Sequence, residues 1–234
     1  MIYANIHPAI FQSRPNRFIA HVLLNGEPVV CHVKNTGRCR ELLIPGVPVF
    51  LQESRNPARK TRFDLISVYK GERLINIDSQ APNQIFSEWA KNGHFGALQL
   101  LRPEARYGNS RFDFYFERGT QKGFAEIKGV TLEENGDVLF PDAPTERGRK
   151  HLRELASCVR EGFEAWAVFI VQMKGVRRFL PNARTDPDFA KALQEAQQAG
   201  VKLLCLDCRV TPDSIIAEDP VPVFLSGSDP LRKP

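Results

Sequence analysis

The 234-residue sequence predicts a two-part α/β (α+β) chain. A small closed β-barrel is expected over residues 1–82, a mixed sheet with flanking helices over 83–225, and a frayed tail at 226–234. Three observations carry this expectation. Residues 18–77 hold short apolar runs that end at turn pairs such as Asn25-Gly26 and Pro45-Gly46. Helical spacing first appears at Pro82. Beyond it strand-like and helix-like segments alternate, the pattern of a sheet covered by helices.

In the first part, 18–24 runs into Asn25-Gly26, a pair suited to a tight hairpin. A second run covers 29–33 and a third, 47–51, begins after Pro45-Gly46. Residues 63–69 alternate and close at Lys70-Gly71, and 74–77 completes five strands. Five short strands at this spacing predict an OB-type barrel. In the second part, Pro82-Asn83 opens a helix with Ile85, Phe86 and Trp89 on one side. Strands follow at 112–116, 124–128 and 138–140, then a helix over 145–160 with Leu152, Leu155, Ala156 and Val159 as its apolar stripe. Residues 165–172 form a buried strand. Asp186-Pro187 caps a helix that ends at Gly200, and 201–206 is the last strand.

Composition narrows the class. Apolar residues make up 42% and charged residues 25%, enough apolar mass for a core and too much for a disordered chain. No run nears the ~18 apolar residues that span a bilayer, and the first residues lack the charged start and apolar centre of a secretory signal. Five cysteines, an odd number, do not suit a closed disulfide framework. A cytoplasmic location with no membrane partner is expected.

Lysine and arginine number 32 against 27 acids, a net charge of +5, and the distribution says more than the total. Arg55, Arg59, Lys60 and Arg62 fall within eight residues that hold no acid. A second group, Arg147, Arg149, Lys150, His151 and Arg153, follows Pro141-Asp142-Ala143-Pro144. Either group alone reads as a solvated face or as a phosphate-binding patch. An inter-strand loop of an OB-type barrel is where such cations grip oligonucleotides. These clusters are compatible with a nucleic-acid partner, DNA or RNA, without requiring one.

The most informative stretch is Ser110-Arg111-Phe112-Asp113-Phe114-Tyr115-Phe116, followed by Phe124-Ala125-Glu126-Ile127-Lys128. Side chains two apart share a face of a strand, so Phe112, Phe114 and Phe116 are expected to point together into a core, with Asp113 opposite. Glu126 and Lys128 share a face of the next strand, across a turn-rich 117–123. Paired strands lie ~4.8 Å apart, so Asp113 and Glu126 on one side would converge on one cation. Mg²⁺ takes oxygen ligands, commonly one or two carboxylates plus phosphate. A bound metal ion lowers the pKa of a water and offsets charge on the phosphate, and a lysine beside it orients the water and stabilises the transition state. The expected set is thus Asp113, Glu126 and Lys128 with Mg²⁺ or Mn²⁺. The competing reading is an exposed charge cluster across a hairpin, against which the apolar flanks argue.

Glu104 is a further metal candidate or else a surface glutamate. Asp142 either joins the site or caps the next helix. Arg147, His151 and Glu154 lie at helical spacing on one polar face, where Arg147 and His151 either contact phosphate or face solvent. Cys205-Leu206-Asp207-Cys208 sits at the end of a strand, where a redox pair does not belong, and no other cysteine pair completes a zinc set. No phosphate-loop motif and no helix-turn-helix is present, so no obligate small-molecule cofactor is expected.

Taken together, several ordered motifs resemble the sugar fermentation stimulation protein A (SfsA) family. They are Asn35-Thr36-Gly37-Arg38 with Glu41-Leu42, Ser110-Arg111-Phe112-Asp113, Glu126-Ile127-Lys128-Gly129-Val130-Thr131-Leu132, and Phe140-Pro141-Asp142-Ala143 with Thr145, Arg147-Gly148 and Lys150-His151. The resemblance implies an N-terminal OB-type domain and a C-terminal domain similar to PD-(D/E)xK (restriction-endonuclease-like) nucleases. It also implies DNA binding without strong sequence preference, to which Arg38 is expected to contribute, and a bacterial role in regulating sugar (maltose) utilisation. Asp113, Glu126 and Lys128 match the nuclease-like positions. Three functions remain in competition: a DNA-binding regulator that does not cut, an Mg²⁺- or Mn²⁺-dependent nuclease on DNA or RNA, and a barrel that binds a protein partner.

Overall fold

The structure, a computed structural model, describes residues 1–35, 37–108 and 110–225; the tail expected at 226–234 lies outside the described residues. The barrel is built from β1 (Ile6–Ser13), β2 (Ile19–Leu24), β3 (Glu27–Val33), β4 (Pro48–Glu53) and β5 (Phe63–Lys70). β1 pairs antiparallel with β2 and β4, and a parallel β3–β5 pairing closes the ring in the order β1-β2-β3-β5-β4. The β2–β3 hairpin turns at Asn25 and Gly26, both at positive φ (54° and 86°), as the dipeptide predicts. Inward positions alternate along the strands: Phe11, Val22, Cys31, Val33, Val49, Leu51, Leu65 and Val68 are buried.

The five strands expected from the sequence are not the five of the ring. β6 (Arg73–Asn76) only extends β5, while β1 carries no clear signal. Pro8 interrupts it, yet β1 tolerates proline because pairing with β2 begins only at Ile10.

The second domain begins with α1 (Ala81–Trp89) and a π-helical turn at Ala90–His94. Strands β7 (Leu98–Tyr107), β8 (Ser110–Arg118) and β9 (Gln121–Val130) follow, then β10 (Leu132–Glu134) and β11 (Asp137–Phe140). The chain continues through α2 (Glu146–Arg160), β12 (Glu164–Val171), β13 (Arg178–Pro181), α3 (Pro187–Gln198), β14 (Lys202–Thr211) and β15 (Ser214–Pro220). The main sheet runs β15-β14-β12-β9-β8-β7, with β9, β12 and β14 parallel and the outer pairs antiparallel. It is a mixed sheet as expected, with β7 and β15 added at its edges, but the strand expected at 138–140 is not in it: β11 pairs with β10 and β13 in a separate three-stranded sheet. β7 lacked a signal because Arg102, Pro103, Glu104 and Arg106 are exposed on an edge strand.

α1 covers one face of this sheet through Ile85 and Phe86, packed with Phe114, Phe116, Ile127, Val168 and Ile170. α2 covers the other through Leu152 and Leu155, packed with Phe112, Phe124 and Phe169. The three phenylalanines of β8 therefore do not point together. Phe112 lies 5.4 Å from Phe124 on the α2 side, and Phe114 lies 5.4 Å from Phe86 on the α1 side. Alternation breaks between them at Asp113, opposite Glu104 of β7, whose backbone is left-handed (φ 52°).

A buried polar network joins the two domains. Asn76 donates to Tyr3 Oη (3.0 Å), and Gln172 Nε2 donates to Asn76 Oδ1 (2.8 Å) and to the Asp78 carbonyl (3.0 Å). Lys34 reaches both Asp78 (3.3 Å) and Asp64 (3.6 Å). Asn76, Asp78 and Gln172 are almost wholly buried, so each bond satisfies a group that has no access to water.

Candidate functional site

β8 and β9 are paired from Arg118↔Gln121 up to Phe114↔Ala125. One step further a side chain replaces the ladder: Asp113 Oδ2 accepts the Ile127 N–H (2.7 Å), and Oδ1 accepts Asn83 Nδ2 of α1 (2.9 Å). Asp113 is thereby fixed in the opening between the two strands. Glu126 stands beside it on β9, 4% exposed. Its Oε1 takes Lys128 Nζ (2.5 Å) and a hydrogen bond with His151 Nδ1 of α2. Its Oε2 is buried with no hydrogen-bond partner.

The two carboxyls are held in opposite directions. Burial, then the neighbouring Glu126 charge, raise Asp113 above the usual carboxylate range, against the smaller pull of Ile127 N–H, Asn83 and Lys128. Burial alone would raise Glu126 as well, but the His151 hydrogen bond and the Lys128 charge reverse it and hold the group low. One carboxylate is charged and internally balanced, while the other resists ionising beside it. A divalent cation between them would remove the repulsion and give Glu126 Oε2 a partner. That orphaned buried oxygen is the observation by which these residues fit such an ion.

Among the described residues no group of three or more His, Cys, Asp or Glu is gathered around one point, so a metal ion here would rest on the pair of carboxylates. Two suffice for Mg²⁺, which keeps several waters. Glu104 does not join them. It is exposed on β7 and pairs with Arg111 (3.0 Å), because its left-handed backbone turns it off the regular strand.

His151 is not on a solvent face. It is 4% exposed, packed against Phe112 (6.0 Å between rings) and bonded to Glu126; α2 rotates this position inward with Leu152 and Leu155. Arg147 is exposed, which fits either a phosphate contact or a solvent face. Lys150 is exposed and 3.7 Å from Glu154, whose Oε1 also accepts Ser110 Oγ (2.6 Å). Asp142 neither caps α2 nor joins the carboxylates: its Oδ2 accepts the Arg38 N–H (3.2 Å) and ties the β3–β4 connection to the second domain. The cap of α2 is Thr145, accepting from Gly148 N (3.0 Å).

In the loop between β4 and β5, Arg59 is engaged by Asp64 through two bonds (2.8 and 2.6 Å) and Arg62 by Glu53 (2.6 Å). Arg55 and Lys60 are exposed and have no ion pair among the described residues. Half of that basic run is thus spent on the barrel itself. The sequence reading missed a larger basic feature, a groove of about 960 Å³ lined by Arg14, Arg17, Arg38 and Arg40 together with Ala143 and Pro144. Arg14 and Arg17 lie in the β1–β2 loop, which is visible as a loop only once β1 is recognised. All five cysteines are free and buried; Cys205 and Cys208 pack on opposite faces of the sheet, which rules out a redox pair between them.

Family models match both domains: residues 13–77 match "SfsA N-terminal OB domain" and residues 80–214 match "Sugar fermentation stimulation protein RE domain". A "Sugar fermentation stimulation protein homolog" from Desulfitobacterium hafniense (strain Y51) is 60% identical over 225 residues, covering 96% of this chain and 99% of that protein. A homolog of the same name from Clostridium beijerinckii is 54% identical, covering 96% and 100%. The solved structure of Pyrococcus furiosus SfsA in complex with Ca²⁺ superposes with a TM-score of 0.87 at 29% identity, covering 96% of this chain and 98% of that one. The chain belongs to the sugar fermentation stimulation protein (SfsA) family.

Proposed function

We propose that this protein binds DNA without strong sequence preference and hydrolyses phosphodiester bonds with Mg²⁺ or Mn²⁺ at Asp113, Glu126 and Lys128. The observation that carries this reading is the buried, unpartnered Oε2 of Glu126 beside a carboxyl held above its ordinary range. Asp113 and Glu126 would hold the ion, and the complex of the Pyrococcus relative with Ca²⁺, another oxygen-seeking cation, supports a divalent ion here. When bound, the ion supplies a more acidic water and offsets charge on the phosphate.

The chain's own residues do the rest. Asn83 and the Ile127 N–H fix one carboxylate, and His151 fixes the other. Lys128 places a cation where charge develops on the scissile phosphate and orients the attacking water. The OB barrel supplies a general nucleic-acid scaffold. Five free, buried cysteines suit the reducing cytoplasm, and no helix among the described residues is long and apolar enough to cross a membrane. The relatives' name links them to sugar fermentation, and we extend to this chain a regulatory role in sugar utilisation exerted through DNA.

A second reading, DNA binding without cutting, is favoured by one observation: Lys128 and His151 already balance Glu126 without any ion. A cleavage assay on labelled DNA with Mg²⁺ or Mn²⁺ decides between them. Cutting by the wild type that Asp113→Ala and Lys128→Ala both abolish establishes a nuclease. Salt-sensitive binding with no cutting leaves the binding protein.

A further inference from the structure

About half of the described arginines are paired with acids; Arg59, Arg62, Arg73, Arg111, Arg118 and Arg149 each reach a carboxylate within 3.1 Å. Among those without an ion pair, Arg17, Arg38 and Arg40 are exposed and come together along one groove. Among the described residues, no acid lines it. The groove is also a built structure. Arg14 spends its guanidinium on the carbonyls of Arg17 (2.8 Å), Asn35 (2.6 Å), Gly37 (2.9 Å) and Arg38 (3.0 Å). It thereby pins the β1–β2 loop to the β3–β4 connection, and the Asp142 bond to Arg38 N–H pins both to the second domain.

Gly37 lines this groove and also a second, narrower cavity of about 180 Å³ that Gly129 lines as well. Space is tight at both glycines. A Cβ on Gly37 would lie 2.6 Å from Asp142 Oδ2, and one on Gly129 would lie 2.5 Å from Gln172 Oε1. A cavity of 180 Å³ holds about six waters at ~30 Å³ each, too little for a nucleotide, so the groove of about 960 Å³ is the place for a polynucleotide. Phe18, next in the chain to Arg17, is 54% exposed, and an exposed aromatic beside free cations is the combination that holds unpaired bases and their backbone.

We propose that this groove, and not the β4–β5 loop, is the track for a single polynucleotide strand. Arg17, Arg38 and Arg40 hold its phosphates. The inference deepens the function proposed above and rests on it only in taking the bound strand as the substrate.

The test is fluorescence anisotropy of the full chain in EDTA, where no metal-dependent cutting occurs, with a labelled dT₂₀ strand and a 20-base-pair duplex as probes. The strand is expected to bind at least ten-fold more tightly than the duplex. The triple variant Arg17→Ala/Arg38→Ala/Arg40→Ala is expected to lose at least ten-fold, with the slope of log K against log salt falling by about 2, as three phosphate contacts at ~0.7 each on a single strand require. An Arg55→Ala/Lys60→Ala variant is expected to bind as the wild type does. Tighter binding of the duplex, no binding of either probe, an unchanged triple variant, or a larger loss from the loop variant would each overturn the track. None of these readings depends on cleavage, so an inactive site would leave the result standing.

Discussion

At the residue scale the account turns on Glu126 and the groups around it. His151 touches Glu126 rather than the reacting atoms, so it is a positioning residue. His151→Ala is expected to weaken Mn²⁺ binding by about 10–100-fold, the usual cost of losing an outer-shell partner, while Arg147→Ala leaves that affinity unchanged; calorimetric titration separates the two. Lys128→Met is expected to lower the cleavage rate about 10²–10³-fold, as removal of one charge-stabilising donor does, with Mn²⁺ affinity retained. Asp64 is a structural counterpart. Burial would raise it, but Arg59, Lys34 and His32 hold it below the usual carboxylate range. A carboxyl depressed in the folded state adds stability above its unfolded pKa of about 3.9, and that stability is lost as pH falls through the lower folded value. Asp64→Asn should therefore flatten the acid limb of a plot of stability against pH below about pH 4 and lower stability near neutrality. Parallel acid limbs for variant and wild type would contradict this.

The elements explain both what the sequence reveals and what it hides. The α3 start is legible because capping is local chemistry: Asp186 Oδ1 accepts from Phe189 N. The α2 cap was not, since Thr145 accepts from Gly148 N where Asp142 was the candidate. Asp186 does more than cap: its Oδ2 takes Thr145 N (2.8 Å), and Arg149 donates to Oδ1 (2.9 Å). Thr145→Ala is expected to cost about 1 kcal/mol. Asp186→Ala should cost more, about 2–3 kcal/mol, because buried partners are left unsatisfied; urea denaturation gives both values. Edge strands β7 and β15 and the proline-bearing β1 were hidden because their exposed positions carry no alternation. The Asp113/Glu126 pairing was legible from two strands and a turn. The break in alternation at Asp113 was not, because it depends on a side chain taking the place of a main-chain acceptor. The inward turn of His151 was not legible either: a histidine beside Leu152 reads equally as surface or core until its partner is known.

On the scale of the whole molecule, the two domains are joined by the Tyr3–Asn76–Gln172–Asp78 network and by Lys70 and Arg73 on the buried Glu133. None of this is visible in the sequence, since its members lie up to 169 positions apart, from Tyr3 to Gln172, and meet only through the fold — Gln172 meets Asn76 across 96 residues. Gln172→Ala removes two buried hydrogen bonds, although Asn76 Oδ1 keeps the Asp78 N–H and the Asp78 carbonyl keeps the Ala81 N–H; the loss is expected to cost about 1–3 kcal/mol. Because Gln172 ties the barrel to β9, the strand of Lys128, through its backbone N–H on the Val130 carbonyl, the same substitution should also reduce cleavage more than it reduces binding of a dT₂₀ strand. Equal losses in both would place Gln172 outside that coupling.

The measurement that tests the central claim most directly is a calorimetric titration of Mn²⁺ into the wild type and into Asp113→Asn and Glu126→Gln. The account predicts one site in the wild type, lost in both variants while their thermal unfolding shows them folded. No binding to the wild type, or equal binding to all three proteins, would contradict it.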